Sequence, residues 1–385
     1  MGPGSRLPPS PQRAQQPPIL APRASQCANS STPAQLDGLR VLFCTQDMDS
    51  AFQRTRAVLA STLPGVEVRQ CHRLEAGAAL QHVDVVVPIA VPITAGMLGA
   101  APRLKLIIQF GVGVDAIDIP AATRLGITVA NIPSLGTGNA LSVAEHAIFL
   151  ALASLRHHGA MRRALEAQRL GVPEGLTLWG STVLVVGYGN IAQELVTRLQ
   201  PFGCRVLCLR RSAWPEPRTG TAADLEDVGT FPDDVPRLAA QADVVILTCA
   251  LNPSSVGLVG ASFLAACKPG VHIINIARGG LLDRAAVAAG LRDGTIGGMG
   301  LDVYWDEPLG SHPSHEGDGI ADHPSVYLTP HVGGITSVSY QDMAEILAGE
   351  VQRLLQGKLP SHPLNQPVDA RLPLACRAHA MAGVE

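Results

Sequence analysis

The stretch VLVVGYGNIAQELVTRLQPFGCRVLCLRRS, residues 183–212, decides the fold. An apolar run leads into a glycine turn, a helical pattern follows, and a second apolar run ends on two arginines. Strand, turn, helix and strand within about 30 residues is the setting in which a GxGxxG turn is meaningful. Gly187 permits the tight turn. Gly189 lets the backbone approach a pyrophosphate, and the amides after it open a helix whose dipole favours an anion. Ala192 stands where a third glycine would be and still allows close packing of helix on sheet.

The end of the second strand bears on which dinucleotide. An acid there would accept hydrogen bonds from the ribose of NAD. Twenty-three residues beyond Gly187 the chain instead carries Arg210, followed by Arg211 and Ser212. Guanidinium groups pair with phosphate in a forked geometry, so the expected cofactor is NADP, with NAD as the alternative.

Outward from this unit, apolar runs alternate with helical patterns. Before it, strands are expected at 40–45, 66–71, 83–89, 104–110 and 127–132. From the unit onward they are expected at 181–187, 204–209, 243–249, 272–277, 297–303 and 326–331. Strands interleaved with helices imply parallel sheets covered on both faces. The run LSVAEHAIFLALASLRHH reads as a strong helix, with Ser142 and Glu145 at capping-box spacing, apolar enough to be buried or in an interface. Segments 213–237 and 310–324, rich in Pro, Gly and Asp, read as surface loops.

Composition narrows the function. The chain has 385 residues, 46% hydrophobic and 16% charged, with a net charge of −3. There is no long run of one sign, which argues against a nucleic-acid partner, for which a basic face is the usual footprint. No apolar run reaches the ~20 residues of a membrane span. The eight cysteines are scattered without a CxxC pair, and Cys204 and Cys208 fall on one strand face as small apolar residues. His312, His315 and His323 lie in a Gly/Pro/Asp loop without a nearby cysteine and read as solvated, so no metal site is expected. Residues 1–36 are proline-rich, contain Arg6, Arg13 and Arg23, and have no acid. They read as a disordered tail or as a chloroplast or mitochondrial transit peptide; without such an address the expected location is cytoplasmic.

Three polar residues fall at or just past strand ends, where open α/β sheets bind ligands. Arg278 lies in INIARGG, Glu307 in LDVYWDEP, and His331 in YLTPHVGG. An arginine can hold a carboxylate in two parallel bonds. A histidine is the natural proton donor or acceptor near neutral pH. A carboxylate beside it would favour the imidazolium.

With GYGNIA, INIARGGLLD, GLDVYWDEP and LTPHVGG in this order, the chain resembles the D-isomer-specific 2-hydroxyacid dehydrogenase family over roughly residues 38–365. The resemblance implies two Rossmann-like parallel-sheet domains, a nucleotide domain (139–331) inserted into a discontinuous flavodoxin-like substrate domain (37–138 and 332–365), with a tail at 366–385. It implies Arg278, Glu307 and His331 as the catalytic set. Val112 and Gly113, in FGVGVDAID, are implied as carboxylate-binding amides. Gly187, Asn190, Ile191, Ala250, Leu251, Ile276, Asp302 and Gly333 are implied around the cofactor. It further implies a homodimer seamed by the helix from Ser142 and a small 2-oxo or 2-hydroxy acid substrate of the glyoxylate or hydroxypyruvate kind. The chain is short for phosphoglycerate dehydrogenases with added regulatory domains. A competing expectation is a corepressor-like scaffold that senses the nucleotide without turnover.

Overall fold

The computed structural model describes residues 38–45, 48–89, 91–307 and 317–367. The tail expected at 1–36, nearly all of that at 366–385, and His312 and His315 lie outside the described residues.

The inner strands of the first sheet are short runs largely apolar on both faces, while the edge strand EVRQC is polar and half-buried. The sheet contains β1 (Arg40–Cys44), β2 (Glu67–Cys71), β3 (Val85–Pro88), β4 (Leu106–Gln109) and β5 (Thr128–Asn131), all parallel. Their order is β2-β1-β3-β4-β5, the flavodoxin-like winding. Helices α1 (Asp49–Thr62), α2 (Ala76–Ala79), α3 (Ala95–Gly99) and α4 (Ile119–Arg124) make the crossovers. Leu106, Ile107 and Ile108 are fully buried on alternating faces, as a strand covered on both sides requires. Each such side chain contributes roughly 1.5–3 kcal/mol by leaving water.

The chain then leaves this sheet through α5 (Gly138–Leu155) and α6 (His158–Glu166). Helix α5 begins one turn before the expected Ser142–Glu145 capping box. The cap is Thr137, extended and with its side chain accepting from the amide of Asn139; Asp342 accepts from the amide of Gly138 at 2.7 Å. Ser142 is inside the helix and donates to the carbonyl of Gly138 at 2.6 Å, and Glu145 faces Arg198 instead of an amide. By length and composition α5 could cross a bilayer, but 67% of it is buried against the rest of the chain, as in a core helix.

The second sheet holds β6 (Thr182–Val186), β7 (Arg205–Arg210), β8 (Asp227–Thr230), β9 (Val244–Leu247), β10 (Val271–Asn275), β11 (Ile296–Leu301) and β12 (Val326–Leu328). Its order is β12-β11-β10-β9-β6-β7-β8, a doubly wound sheet whose winding reverses between β6 and β9. Here 213–237 departs from a pure loop: residues 227–230 pair with β7, Leu207 beside Asp227, and add a seventh strand at the edge. Helices α7 (Asn190–Leu199), α8 (Val235–Ala239), α9 (Ala261–Ala266) and α10 (Arg284–Asp293) cover its faces. Cys204 and Cys208 both pack into the core on the α5–α7 side.

Past β12 the chain returns. Helix α11 (Ser337–Leu355) packs on the first sheet with α1, placing Met343, Leu347, Val351 and Leu354 in the core beside Phe43, Leu59 and Ile108. The outgoing and returning segments are tied where they pass: Ser142 Oγ lies 2.8 Å from Thr336 Oγ1, in addition to the Asp342–Gly138 bond.

Candidate active site

The glycine turn joins β6 to α7. Gly187 has φ +105°, a conformation L side chains rarely adopt, and a Cβ there would fall 2.7 Å from the backbone nitrogen of Cys249 at the end of β9. Gly189 caps α7 in an extended conformation, and a Cβ there would meet nothing within 4 Å. Closed packing at the first glycine and open space at the second are what a backbone cradle for a pyrophosphate needs. Ala192 is fully buried, and Asn190 Nδ2 donates to Ser134 Oγ at 3.1 Å, fixing the start of α7. Substituting Gly187 by Val is expected to cost about 1–3 kcal/mol in stability and to abolish nucleotide binding, read by thermal unfolding and NAD(P)H titration. A variant that binds with wild-type affinity would refute the cradle.

The other residues expected around a dinucleotide lie just beyond strand ends of the same sheet. Arg210 closes β7, with Arg211 exposed after it. Ala250 and Leu251 follow β9, Ile276 follows β10, and Asp302 follows β11. Val112 and Gly113 lie on the loop after β4 of the first sheet, Val112 exposed and its carbonyl accepting from Asn131 Nδ2 at 2.8 Å.

Arg278 stands at the end of β10, its turn built by buried Asn275. The Asn275 amide nitrogen donates to the Arg278 carbonyl at 2.8 Å, and its oxygen accepts from the Ala277 amide at 3.0 Å. The Arg278 guanidinium donates through Nε to Asp115 Oδ2 at 3.0 Å and through Nη1 to the Ala277 carbonyl at 2.7 Å. It lies directly over Gly113, where a Cβ would come within 1.6 Å of Nη2. The two residues expected to grip a carboxylate are therefore in contact.

Glu307 and His331 form the second cluster. Nδ1 of His331 is 2.8 Å from Glu307 Oε2, while Glu307 Oε1 accepts from the Tyr304 amide at 2.9 Å. His331 has φ +55°, unusual for a residue with a side chain. Asp302 holds it there, accepting from the amides of Val332 at 2.9 Å and Gly333 at 2.8 Å and from Thr329 Oγ1 at 2.6 Å. Thr329 Oγ1 gives its proton to Asp302 and so accepts from His146 Nε2 at 2.9 Å. Burial alone would push the Asp302 carboxyl up; the hydrogen bonds from His146, Thr329, Val332 and Gly333 outweigh it and hold the group below its usual range. Asp302 is thus turned toward the His331 loop in this structure.

No hydrogen bond joins Arg278 to Glu307 or His331. The clusters meet through backbone: a Cβ on Gly279 would lie 2.1 Å from the carbonyl carbon of Tyr304, whose amide Glu307 holds. Four contributors escaped sequence reasoning: Asp115, His146, Thr329 and Tyr304. Asp115 lay in the quoted FGVGVDAID. His146 was visible only as a polar break in an apolar helix. Among the described residues no group of three or more His, Cys, Asp or Glu is arranged to hold a metal.

A doubly wound sheet with a closed-then-open glycine turn, an arginine and a carboxylate–imidazole pair at its strand ends has the layout of a dinucleotide-dependent oxidoreductase. The family model "D-isomer specific 2-hydroxyacid dehydrogenase, NAD binding domain" matches residues 148–333. The chain is 34% identical over 321 residues to D-3-phosphoglycerate dehydrogenase of Mycobacterium leprae, covering 82% of this chain and 58% of that protein. It is 32% identical over 277 residues to glyoxylate reductase of Pyrococcus furiosus, covering 70% and 78%. The apo-structure of D-lactate dehydrogenase from Escherichia coli matches with a TM-score of 0.70 at 25% identity, over 85% of this chain and 100% of that one. The chain belongs to the D-isomer-specific 2-hydroxyacid dehydrogenase family, and it spans just over half the length of the mycobacterial relative.

Proposed function

We propose that this chain is an NAD(P)-dependent oxidoreductase that interconverts a small 2-oxo acid, of the size of glyoxylate or hydroxypyruvate, and the D-2-hydroxy acid, with NADP(H) preferred. The observation that carries the reading is the His331–Glu307 pair, 2.8 Å apart beside a sheet whose glycine turn fits a dinucleotide. In this reading the second sheet holds the nucleotide, through Gly187, Gly189, Asn190 and Ile191 at the pyrophosphate and Arg210 and Arg211 at the ribose. Ala250, Leu251, Ile276, Asp302 and Gly333 lie toward the nicotinamide. The first sheet with α11 holds the acid.

The nicotinamide, when bound, supplies the hydride that reduces the carbonyl carbon. The chain's own residues bind and protonate. The amides of Val112 and Gly113 and the Arg278 guanidinium hold the substrate carboxylate, and Arg278 stabilises charge as it builds on the carbonyl oxygen. Glu307 occupies Nδ1 of His331, which leaves Nε2 to deliver the proton to that oxygen. Glu307 also stabilises the imidazolium before transfer.

Exposed Phe149, Leu165, Leu170 and Trp179 around α5, α6 and the segment after them support a homodimer. The testing experiment is a panel of glyoxylate, hydroxypyruvate, pyruvate and phenyl-substituted 2-oxo acids with NADH and NADPH, plus D-3-phosphoglycerate with NAD and NADP. Reduction of a small 2-oxo acid, faster with NADPH, is the expected result. Binding of NAD(P)H with no turnover of any substrate would overturn the enzyme reading in favour of a nucleotide-sensing scaffold.

A further inference from the structure

The segment after β7 builds a shelf for Arg210. Trp214 sits on the fold through its indole nitrogen, which donates to the carbonyl of Gly229 in the edge strand β8 at 3.0 Å. Its ring packs against Tyr188, the residue between the two turn glycines, with centroids 4.9 Å apart. Tyr188 is held in turn by its hydroxyl, 2.6 Å from Thr221 Oγ1. On this platform lies the Arg210 guanidinium, its central carbon 5.0 Å from the Trp214 ring centroid. One edge of the guanidinium is taken by Ser212 Oγ, which accepts from Nε at 3.0 Å and from Nη2 at 2.6 Å.

Stacking fixes the plane of a guanidinium without using any of its N–H donors. With both lone pairs of Ser212 Oγ occupied by Arg210, the hydroxyl proton is directed away from the arginine and is itself a free donor. Nη1 and the outer N–H of Nη2 complete the donor set. The arrangement offers only donors to its outer side, and an oxyanion with several acceptor oxygens is the chemistry that answers it.

We propose that Trp214 is a positioning residue and Ser212 a direct ligand in a subsite for the 2′-phosphate of an adenine dinucleotide, with Trp214 holding Arg210 in the plane that phosphate requires. The inference rests on the NADP preference proposed above. The seventh strand thereby acquires a use: it anchors the shelf beside the glycine turn.

The test measures binding by calorimetry with two probes that lack nicotinamide, adenosine 2′,5′-bisphosphate and adenosine 5′-monophosphate, on the full chain. The wild type is expected to bind the bisphosphate about 10- to 100-fold more tightly than the monophosphate. Trp214→Leu keeps apolar packing on Tyr188 but has no ring face; it should lose most of that ratio while its affinity for the monophosphate stays unchanged. Trp214→Phe should restore the ratio. Ser212→Ala should lower it, and Trp214→Leu should have no further effect once Arg210 is replaced by Ala. A ratio unchanged in Trp214→Leu, or an equal loss for both probes, overturns the shelf while leaving the cofactor preference standing. A wild type with no preference between the probes overturns the preference and the shelf together.

Discussion

Replacing His331 by Asn is expected to lower kcat for a 2-oxo acid by about 10²- to 10⁴-fold, the range for removal of a general acid, with nucleotide affinity and the unfolding midpoint near wild type. Asn is the informative choice because His331 lies at φ +55°, where Asn is tolerated better than most residues with a Cβ. The loss then reports chemistry more than backbone strain. The imidazole has one nitrogen committed to Glu307 at 2.8 Å, so only Nε2 can serve the substrate, and Asn has no titratable proton to give. Steady-state kinetics with thermal unfolding checks this; turnover within threefold of wild type would remove His331 from the reaction.

Arg278→Gln should produce the second large loss, roughly 10²- to 10³-fold in kcat, the range for deleting a donor to a developing oxyanion, together with a raised KM. Arg278→Lys should recover little. The guanidinium is held by Asp115 at Nε and by Ala277 at Nη1, and presents its remaining donors over Gly113 as a plane; an ammonium on a flexible stem cannot reproduce that. The fold should tolerate the change, since Asp115 is more than half exposed and an exposed ion pair contributes on the order of 0–1 kcal/mol. A Lys variant with wild-type kcat/KM would show that charge alone suffices.

The parts of the fold that were legible in the sequence are those where burial dictates composition. VLVVG and LKLII are apolar on both faces because helices cover both faces, so their pattern declares them. The edge strand β8 was not legible, because DVGT has an acid, a glycine and one apolar residue; its strand character comes from pairing with β7 and not from its own side chains. The start of α5 was misplaced for a related reason. Ser142 and Glu145 have the right spacing, but spacing does not say which serine or threonine is extended, and Thr137 is. At the site, Arg278, Glu307 and His331 stood out because they follow closely on apolar strands. Asp115 and His146 did not, because their partners are 163 and 183 residues away in sequence.

The return of α11 to the first sheet has a consequence for biosynthesis. A ribosome delivers β1 to β5 early, yet Met343, Leu347, Val351 and Leu354, which close the hydrophobic interior around Phe43 and Leu59, emerge some two hundred residues later. The intervening Rossmann unit has all its strands available before then. Nascent chains should therefore complete the middle of the protein first, leaving the leading segment with an unsealed apolar face that waits for its last helix.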